Sequence, residues 1–300
     1  MSFSSDAKAE LCKVPINRKC CAISECYGVL LYCNTFSANE IKIITESRDF
    51  ALRLPKLFKK AFGTGFDIFP EDISAPGKLT YIINDHEKLD RIFGYFGYEK
   101  GMVVSHHINL GILEELCCQQ SFMRGAFLAG GSVIDPEKRY HLELVTDHYH
   151  VSRETFALLL EIGFAPKDTS RNGRYITYFK QSEAIEDLLT TIGAPVAAME
   201  IMSAKIEKDM RNSVNRRVNC DTANVLKTVD AAQQQIEAIK KIIGDTGLEG
   251  LPDKLRETAV LRVENPELSL IQLAEMMSPP VTKSCLNHRL RKLISIAERI

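Results

Sequence analysis

Residues 282–293 read TKSCLNHRLRKL. Side chains of these types hold anions and read base edges. Lys and Arg neutralise phosphate, while Asn and Arg make paired hydrogen bonds to adenine or guanine in a major groove. Wound as a helix, the segment puts Leu286, Leu290, Leu293 and Ala297 on one face, at spacings of four, three and four. The opposite face carries Lys283, Ser284, Asn287, His288 and Arg291, with Arg289 and Lys292 on its flanks. An ordinary solvated face mixes the two signs of charge. Here five Lys or Arg and a single acid, Glu298, follow Thr282. That bias predicts contact with nucleic acid: Asn287, His288 and Arg291 toward bases, Lys283, Arg289 and Lys292 toward phosphates.

Such a helix needs elements to hold it. SLIQLAEMM begins with Ser269 and has Gln272 three residues later, the pattern of a capping box. Leu270, Leu273, Ala274 and Met277 form its apolar stripe. SPPV then breaks the chain, because proline cannot continue a helix and forces an extended residue before it. Thr282 is the expected N-cap of the next helix. Upstream, LPDKLRETAVLRVENP predicts a supporting helix that starts near Pro252 and ends at Asn265-Pro266. Three helices with the last one basic describe a helix-turn-helix, whose second helix enters the major groove. A small helical dimerisation module is the alternative.

The bulk properties set few limits. The chain has 300 residues, 45% apolar and 26% charged, with a formal net charge of −1. That suits a globular protein of two or three units and excludes only a uniformly basic one. No run of about 18 apolar residues appears, so no membrane span is expected. MSFSSDAKAEL lacks the charged and apolar regions of a signal peptide, and a cytoplasmic, nucleoid-associated location is expected. Nine cysteines without a CxxC predict reduced thiols. A metal site built from Cys20, Cys21, Cys26 and Cys33 is conceivable. Their helical spacing and small size favour packing instead, and no metal is expected.

One pattern occurs twice before residue 205. Ile41 to Glu46 alternates like a strand and leads into a helix ending near Gly63; Lys78 to Ile83 and a helix stopped at Gly97 follow. Leu142 to Asp147 leads into a helix ending at Gly163; Tyr175 to Phe179 and a helix stopped at Gly193 follow. The expectation is a duplicated αββαββα-like unit. Each copy opens with a helix rich in small residues, 20–36 and 121–136, in which Gly28 and Gly125 stand 97 positions apart. Glycine costs a helix interior about 1 kcal/mol and is kept where another backbone comes close. The two helices are therefore expected to pack together into a pseudo-dimer. Its strands would form a surface able to lie on DNA.

Residues 205–245 read as a helix with a polar middle that joins these parts. Arg211, Asn215, Arg216 and Arg217 are its candidate DNA contacts, since asparagine and arginine bond phosphates and bases. Ile236, Ile239, Ile242 and Ile243 form an apolar stripe at its end.

The small-residue helices resemble the LAGLIDADG helices of homing endonucleases. Three stretches carry a closer resemblance: RGAFLAGGSVIDPEKRYHLEL at 124–144, DMRNSVNRRVNCDTANVLKTVDAA at 209–232 and KSCLNHRLRKL at 283–293. They are similar to the WhiA family, DNA-binding regulators of bacterial cell division and sporulation. The resemblance implies an α+β fold: a degenerate, duplicated LAGLIDADG-like pseudo-dimer with antiparallel sheets, then an all-α helix-turn-helix domain. The expected boundaries are 1–108 and 109–205 for the halves, 206–247 for a helical connector and 248–300 for the helix-turn-helix. Cys285 departs from the family, which commonly has glycine there.

In active LAGLIDADG enzymes an acid ends each helix, and two carboxylates hold a divalent metal that activates water. The repeat places Cys33 and Gly130 at those positions, and neither is an acid. Asp135, before Pro136, reads as a turn residue. His106-His107, His141 and His148-Tyr149-His150 show no partners at metal-ligand spacing. No phosphate loop, GxSxG or HExxH occurs. The expectation is a regulator of transcription with double-stranded DNA and a second protein regulator as partners. It would have no catalytic residues, no cofactor and no membrane contact. A metal-dependent endonuclease and a protein-interaction scaffold are the alternatives.

Overall fold

The computed structural model describes residues 2–74, 77–98 and 106–300. The chain divides into two compact units, Met1–Lys208 and Asp209–Ile300.

The first unit opens with α1 (Phe3–Cys12), a helix the periodicity did not suggest. Its first half then runs α2 (Lys19–Tyr32), β1 (Thr35–Phe36), β2 (Ile41–Thr45), α3 (Arg48–Phe62), β3 (Leu79–Ile83) and α4 (His86–Tyr95). Its second half runs α5 (Leu116–Gly130), β4 (Gly131–Val133), β5 (Leu142–Thr146), α6 (Tyr149–Glu161), β6 (Lys167–Arg171), β7 (Arg174–Phe179) and α7 (Ser182–Ile192). The sheets are antiparallel, with strand orders β1-β2-β3 and β4-β5-β7-β6. Ile41 pairs with Ile83 in one and Leu142 with Phe179 in the other, so the central ladders correspond.

The duplication is present but unequal. Among the described residues only the second half has the full αββαββα order. In the first, an isolated bridge between Ile68 and Ile82 stands where β6 would lie. The β6–β7 hairpin turns at Asn172 and Gly173, both at positive φ, which suits a two-residue turn matched to strand twist. The four glycines expected to stop helices, Gly63, Gly97, Gly163 and Gly193, all take left-handed φ.

α2 and α5 pack backbone to backbone. A Cβ on Gly28 would lie 2.1 Å from the Phe122 carbonyl oxygen, and one on Gly125 would lie 2.0 Å from the Glu25 carbonyl oxygen. Each glycine is thus required by the other helix. The helices are shorter than the expected 20–36 and 121–136, because Cys33 and Gly131 are already extended.

A buried ionic group locks this junction. Glu25 of α2 accepts from Arg53 Nε at 2.6 Å, Arg53 Nη2 at 2.9 Å and Arg124 Nη1 at 3.1 Å. Arg53 also donates to the Cys12 and Val14 carbonyls, and Arg124 to the Ile192 carbonyl. One carboxylate therefore ties α2 to α3 and α5, and its two partners reach the ends of α1 and α7. Burial alone would lower the Arg53 pKa; hydrogen bonding and charge from Glu25 outweigh it and hold the guanidinium above its ordinary value.

Helix α8 (Pro195–Asp245) begins eleven residues before the expected connector and continues past the unit boundary at Lys208. In the second unit its end packs with α9 (Asp253–Glu264), α10 (Leu270–Met276) and α11 (Lys283–Ala297). Ile239 and Ile242 are fully buried there beside Leu255, Leu273, Leu286 and Leu290, so this core reaches back before residue 248. Of the expected stripe, Ile243 is exposed.

Candidate nucleic-acid interface

The presentation of α11 is fixed by short-range chemistry. Thr282 caps it, its Oγ1 accepting from Cys285 N at 3.2 Å. Cys285 thus sits in a regular first turn, exposed to solvent. The capping box on α10 is complete: Ser269 N donates to Gln272 Oε1, and Gln272 N to Ser269 Oγ. Six residues, Met277 to Thr282, separate α10 from α11. Three bonds hold the angle. Val281 N donates to the Ala274 carbonyl, Ser278 N to Glu257 Oε1 on α9, and Arg262 Nη1 to the Leu268 carbonyl. Burial lowers the pKa of Arg262, and nearby Glu267 opposes it.

Leu286, Leu290, Leu293 and Ala297 are the buried residues of α11. Lys283, Ser284, His288, Arg291 and Lys292 are exposed, while Asn287 and Arg289 are half-buried. None of these seven side chains enters a hydrogen bond or ion pair among the described residues. Successive four-residue steps line up Lys283, Asn287 and Arg291 on one ridge. Arg289 lies on the far flank, close to the apolar face, so it is the one member of the set turned away from the others. α10 presents Ile271, Gln272, Glu275 and Met276 outward and carries no cation.

The other candidates do not form one surface. Every residue from Arg211 to Asp230 is exposed. At about 100° per residue, Arg211 and Asn215 share a side of α8, whereas Arg216 and Arg217 point to two other sides. A ligand reaching Arg211 and Asn215 meets Val214 and Val218 beside them, both exposed.

Cys33 and Gly130 are the two helix-end positions that the repeat singles out. The Cys33 thiol donates to the Leu30 and Thr35 carbonyls, and burial pushes its pKa up to about 12. Gly130 faces the Tyr32 ring; a Cβ there would lie 2.6 Å from the Val145 carbonyl oxygen and 2.8 Å from Tyr32 Cδ1. A carboxylate at 130 would therefore displace backbone. Asp135 caps a turn, accepting from Glu137 N.

The histidines lie in ring contact: the His106 and His148 rings are 4.2 Å apart and those of His107 and His150 4.3 Å apart. Burial, then the charge of His148, lowers His106 to a pKa of about 4, which keeps it neutral. Sequence reasoning missed the Glu25 group, and it grouped the cysteines wrongly. Cys26 is buried in the core, and Cys20 and Cys21 meet Cys117 and Cys118 rather than Cys33. The missed signal was a motif: C-C-x-x-S at 20–24 recurs at 117–121, with the same offset as Gly28 and Gly125.

Comparison with known proteins agrees with both units. A model described as the WhiA LAGLIDADG-like domain matches residues 119–211, and one described as the WhiA C-terminal HTH domain matches residues 214–297. A protein of Ruminiclostridium cellulolyticum called "Probable cell division protein WhiA" is 42% identical, over 100% of this chain and 98% of its own. A protein of the same name from Alkaliphilus metalliredigens is 39% identical over the same shares. Full-length DUF199/WhiA from Thermatoga maritima superposes with a TM-score of 0.61 at 26% identity, covering 100% of this chain and 99% of that one. The N-terminal LAGLIDADG domain of DUF199/WhiA shares the fold, with a TM-score of 0.50 at 21% identity over 64% of this chain and 92% of its own.

Proposed function

Since the chain belongs to the WhiA family, we propose that it is a sequence-specific binder of double-stranded DNA that regulates transcription in cell division, chromosome segregation and sporulation. The observation that carries this reading is the face of α11: Lys283, His288, Arg291 and Lys292 exposed, with half-buried Asn287 between them, unpaired among the described residues and held by a capped, hydrogen-bonded turn. Asn287, His288 and Arg291 read bases; Lys283, Arg289 and Lys292 hold phosphates. The ridge of Arg211 and Asn215 adds backbone contacts, with Arg216 and Arg217 serving a second strand segment or a second regulator protein. The functional division is two LAGLIDADG-like halves, 1–108 and 109–205, a connector 206–247 and the helix-turn-helix 248–300.

The protein cuts no DNA in this reading. Cys33 and Gly130 support it, since neither offers a carboxylate and a side chain at 130 would meet the Val145 carbonyl and the Tyr32 ring. A nucleoid-associated protein is implied; among the described residues no helix is long and apolar enough to cross a membrane.

The test is binding of the full chain to duplex DNA across a salt series. The three phosphates held by α11 alone predict an affinity loss of about 40-fold for a fourfold rise in salt, and contacts from Arg211 steepen it. A flat salt response refutes the DNA reading and favours a protein-docking role. Sustained cleavage of a plasmid in magnesium by the pure protein refutes the non-enzymatic part alone.

A further inference from the structure

At the start of α2 and α5, Cys20, Cys21, Cys117 and Cys118 bring four sulfurs within 4.8 Å of one another. Cys20 and Cys21 Sγ stand 4.0 Å apart. An ion bound tetrahedrally through bonds of about 2.3 Å separates its thiolates by about 3.8 Å, so a small contraction closes the cage. A multi-iron cluster needs more room, because its own irons and sulfides lie between the thiolates. A disulfide needs sulfurs at about 2.05 Å, and nothing about four converging thiols is required for one.

What surrounds the sulfurs is also that of a metal site. The hydroxyls of Ser24 and Ser121 are buried and equivalent by the repeat. Ser121 Oγ donates to the Cys117 carbonyl at 2.7 Å and Ser24 Oγ to the Cys20 carbonyl at 3.0 Å, so each hydroxyl fixes the backbone that carries its own cysteine pair. Arg18 Nη1 lies 3.9 Å from Cys117 Sγ. The positive ends of two helices converge on the group and favour thiolate; Glu115 is the N-cap residue of α5. Lys19 is engaged elsewhere, with the Tyr95 hydroxyl. Cys118 is buried and Cys20 exposed, so an ion would be held at the rim, open to exchange.

We propose that the two C-C-x-x-S segments form a tetrathiolate site for one soft divalent ion, with Zn²⁺ as its occupant, that clasps the two halves of the first unit together. Binding breaks up to four S–H bonds, forms four Zn–S bonds and releases the protons to solvent; no oxidant or reductant takes part. The ion does structural work. It joins the ends of α2 and α5 opposite to those where LAGLIDADG enzymes hold their catalytic metal.

The experiment uses the full chain, reduced and freed of metal by chelator. Titration with Co²⁺ should give the visible bands of tetrahedral cobalt with a thiolate charge-transfer band, saturating at about one ion per chain, and Zn²⁺ should bleach them. Protein purified from zinc-supplied cells should carry about one zinc. The double variant Cys20→Ser/Cys117→Ser should fall to background, and Cys220→Ser should keep full content. Chelation should lower the Tm of the wild type and leave that of the double variant unmoved. The idea fails if wild-type Co²⁺ spectra lack the tetrahedral thiolate bands. It also fails if peptide mapping of protein alkylated in the cell finds Cys20 or Cys21 disulfide-bonded to Cys117 or Cys118. Should the double variant not fold, the wild-type cobalt titration still decides.

Discussion

The α2–α5 pair and α11 use charge in opposite ways. α2 buries Ala22 and every residue from Ser24 to Tyr32, and it keeps its Glu25 inside with two arginines. α11 buries four residues and leaves Lys283, Arg291 and Lys292 in solvent, without partners among the described residues. The first arrangement is satisfied: two guanidiniums share one carboxylate and donate to backbone carbonyls within the unit, so it contributes packing and specificity, not affinity for anything outside. The second is unsatisfied, so its charges are available. If the comparison holds, substitutions in the pair register as lost stability and substitutions on α11 as lost binding.

The sharpest way to break it is Glu25→Ala. The change leaves Arg53 and Arg124 buried without a counter-charge, and removal of one partner of a buried ion pair costs about 3–5 kcal/mol. Urea unfolding of the first unit should shift by that amount. A loss below about 1 kcal/mol would mean that the arginines find solvent and that the pair is not locked by charge. Gly28→Ala comes next. Its methyl group would meet the Phe122 carbonyl, so the helices must part, at the upper end of the about 1–3 kcal/mol typical of overpacking. The same substitution at Gly94, which has nothing within 4 Å, should be harmless by the same melt.

What each region allowed to be read in advance follows from the same contrast. α11 was legible because one-sided burial writes a period of 3.6 into the sequence, and because Thr282 and Ser269 cap through their own neighbours. Gly28 and Gly125 were legible through their shared offset. The Glu25 group was not, since its partners lie 28 and 99 positions away and a lone acid in a helix ordinarily faces water. Strand β6 was missed because KDTSR is exposed throughout and shows no alternation, although Asn172-Gly173 marks its hairpin. The cysteines were grouped by closeness in the chain. Along a helix, Cys26 and Cys33 rise away from Cys20 at 1.5 Å per residue, whereas Cys117 returns on the partner helix.

On α11 the expected effect changes kind. Arg291→Ala should weaken binding of a selected duplex by about 1–3 kcal/mol and blunt discrimination at one base pair, with no change in the melt. Lys292→Ala should weaken all sequences alike and reduce the salt slope by about one. Equal losses on every sequence for Arg291→Ala would reassign it to phosphate and move base readout to Asn287 and His288.

Thr282→Ala has the smallest expected effect and bears most directly on the separation itself, because Thr282 belongs to both sides of it. Its hydroxyl accepts from Cys285 N, so its loss should cost the second unit about 1 kcal/mol in denaturant melts. The same turn positions Lys283 and Ser284, so fraying it should also weaken DNA binding, though Thr282 carries no charge. Thr282→Asn keeps the capping acceptor and should restore both. If alanine lowers stability while binding is untouched, the first turn of α11 is no part of the contact. The interface then lies further along the helix, from Asn287 to Arg291.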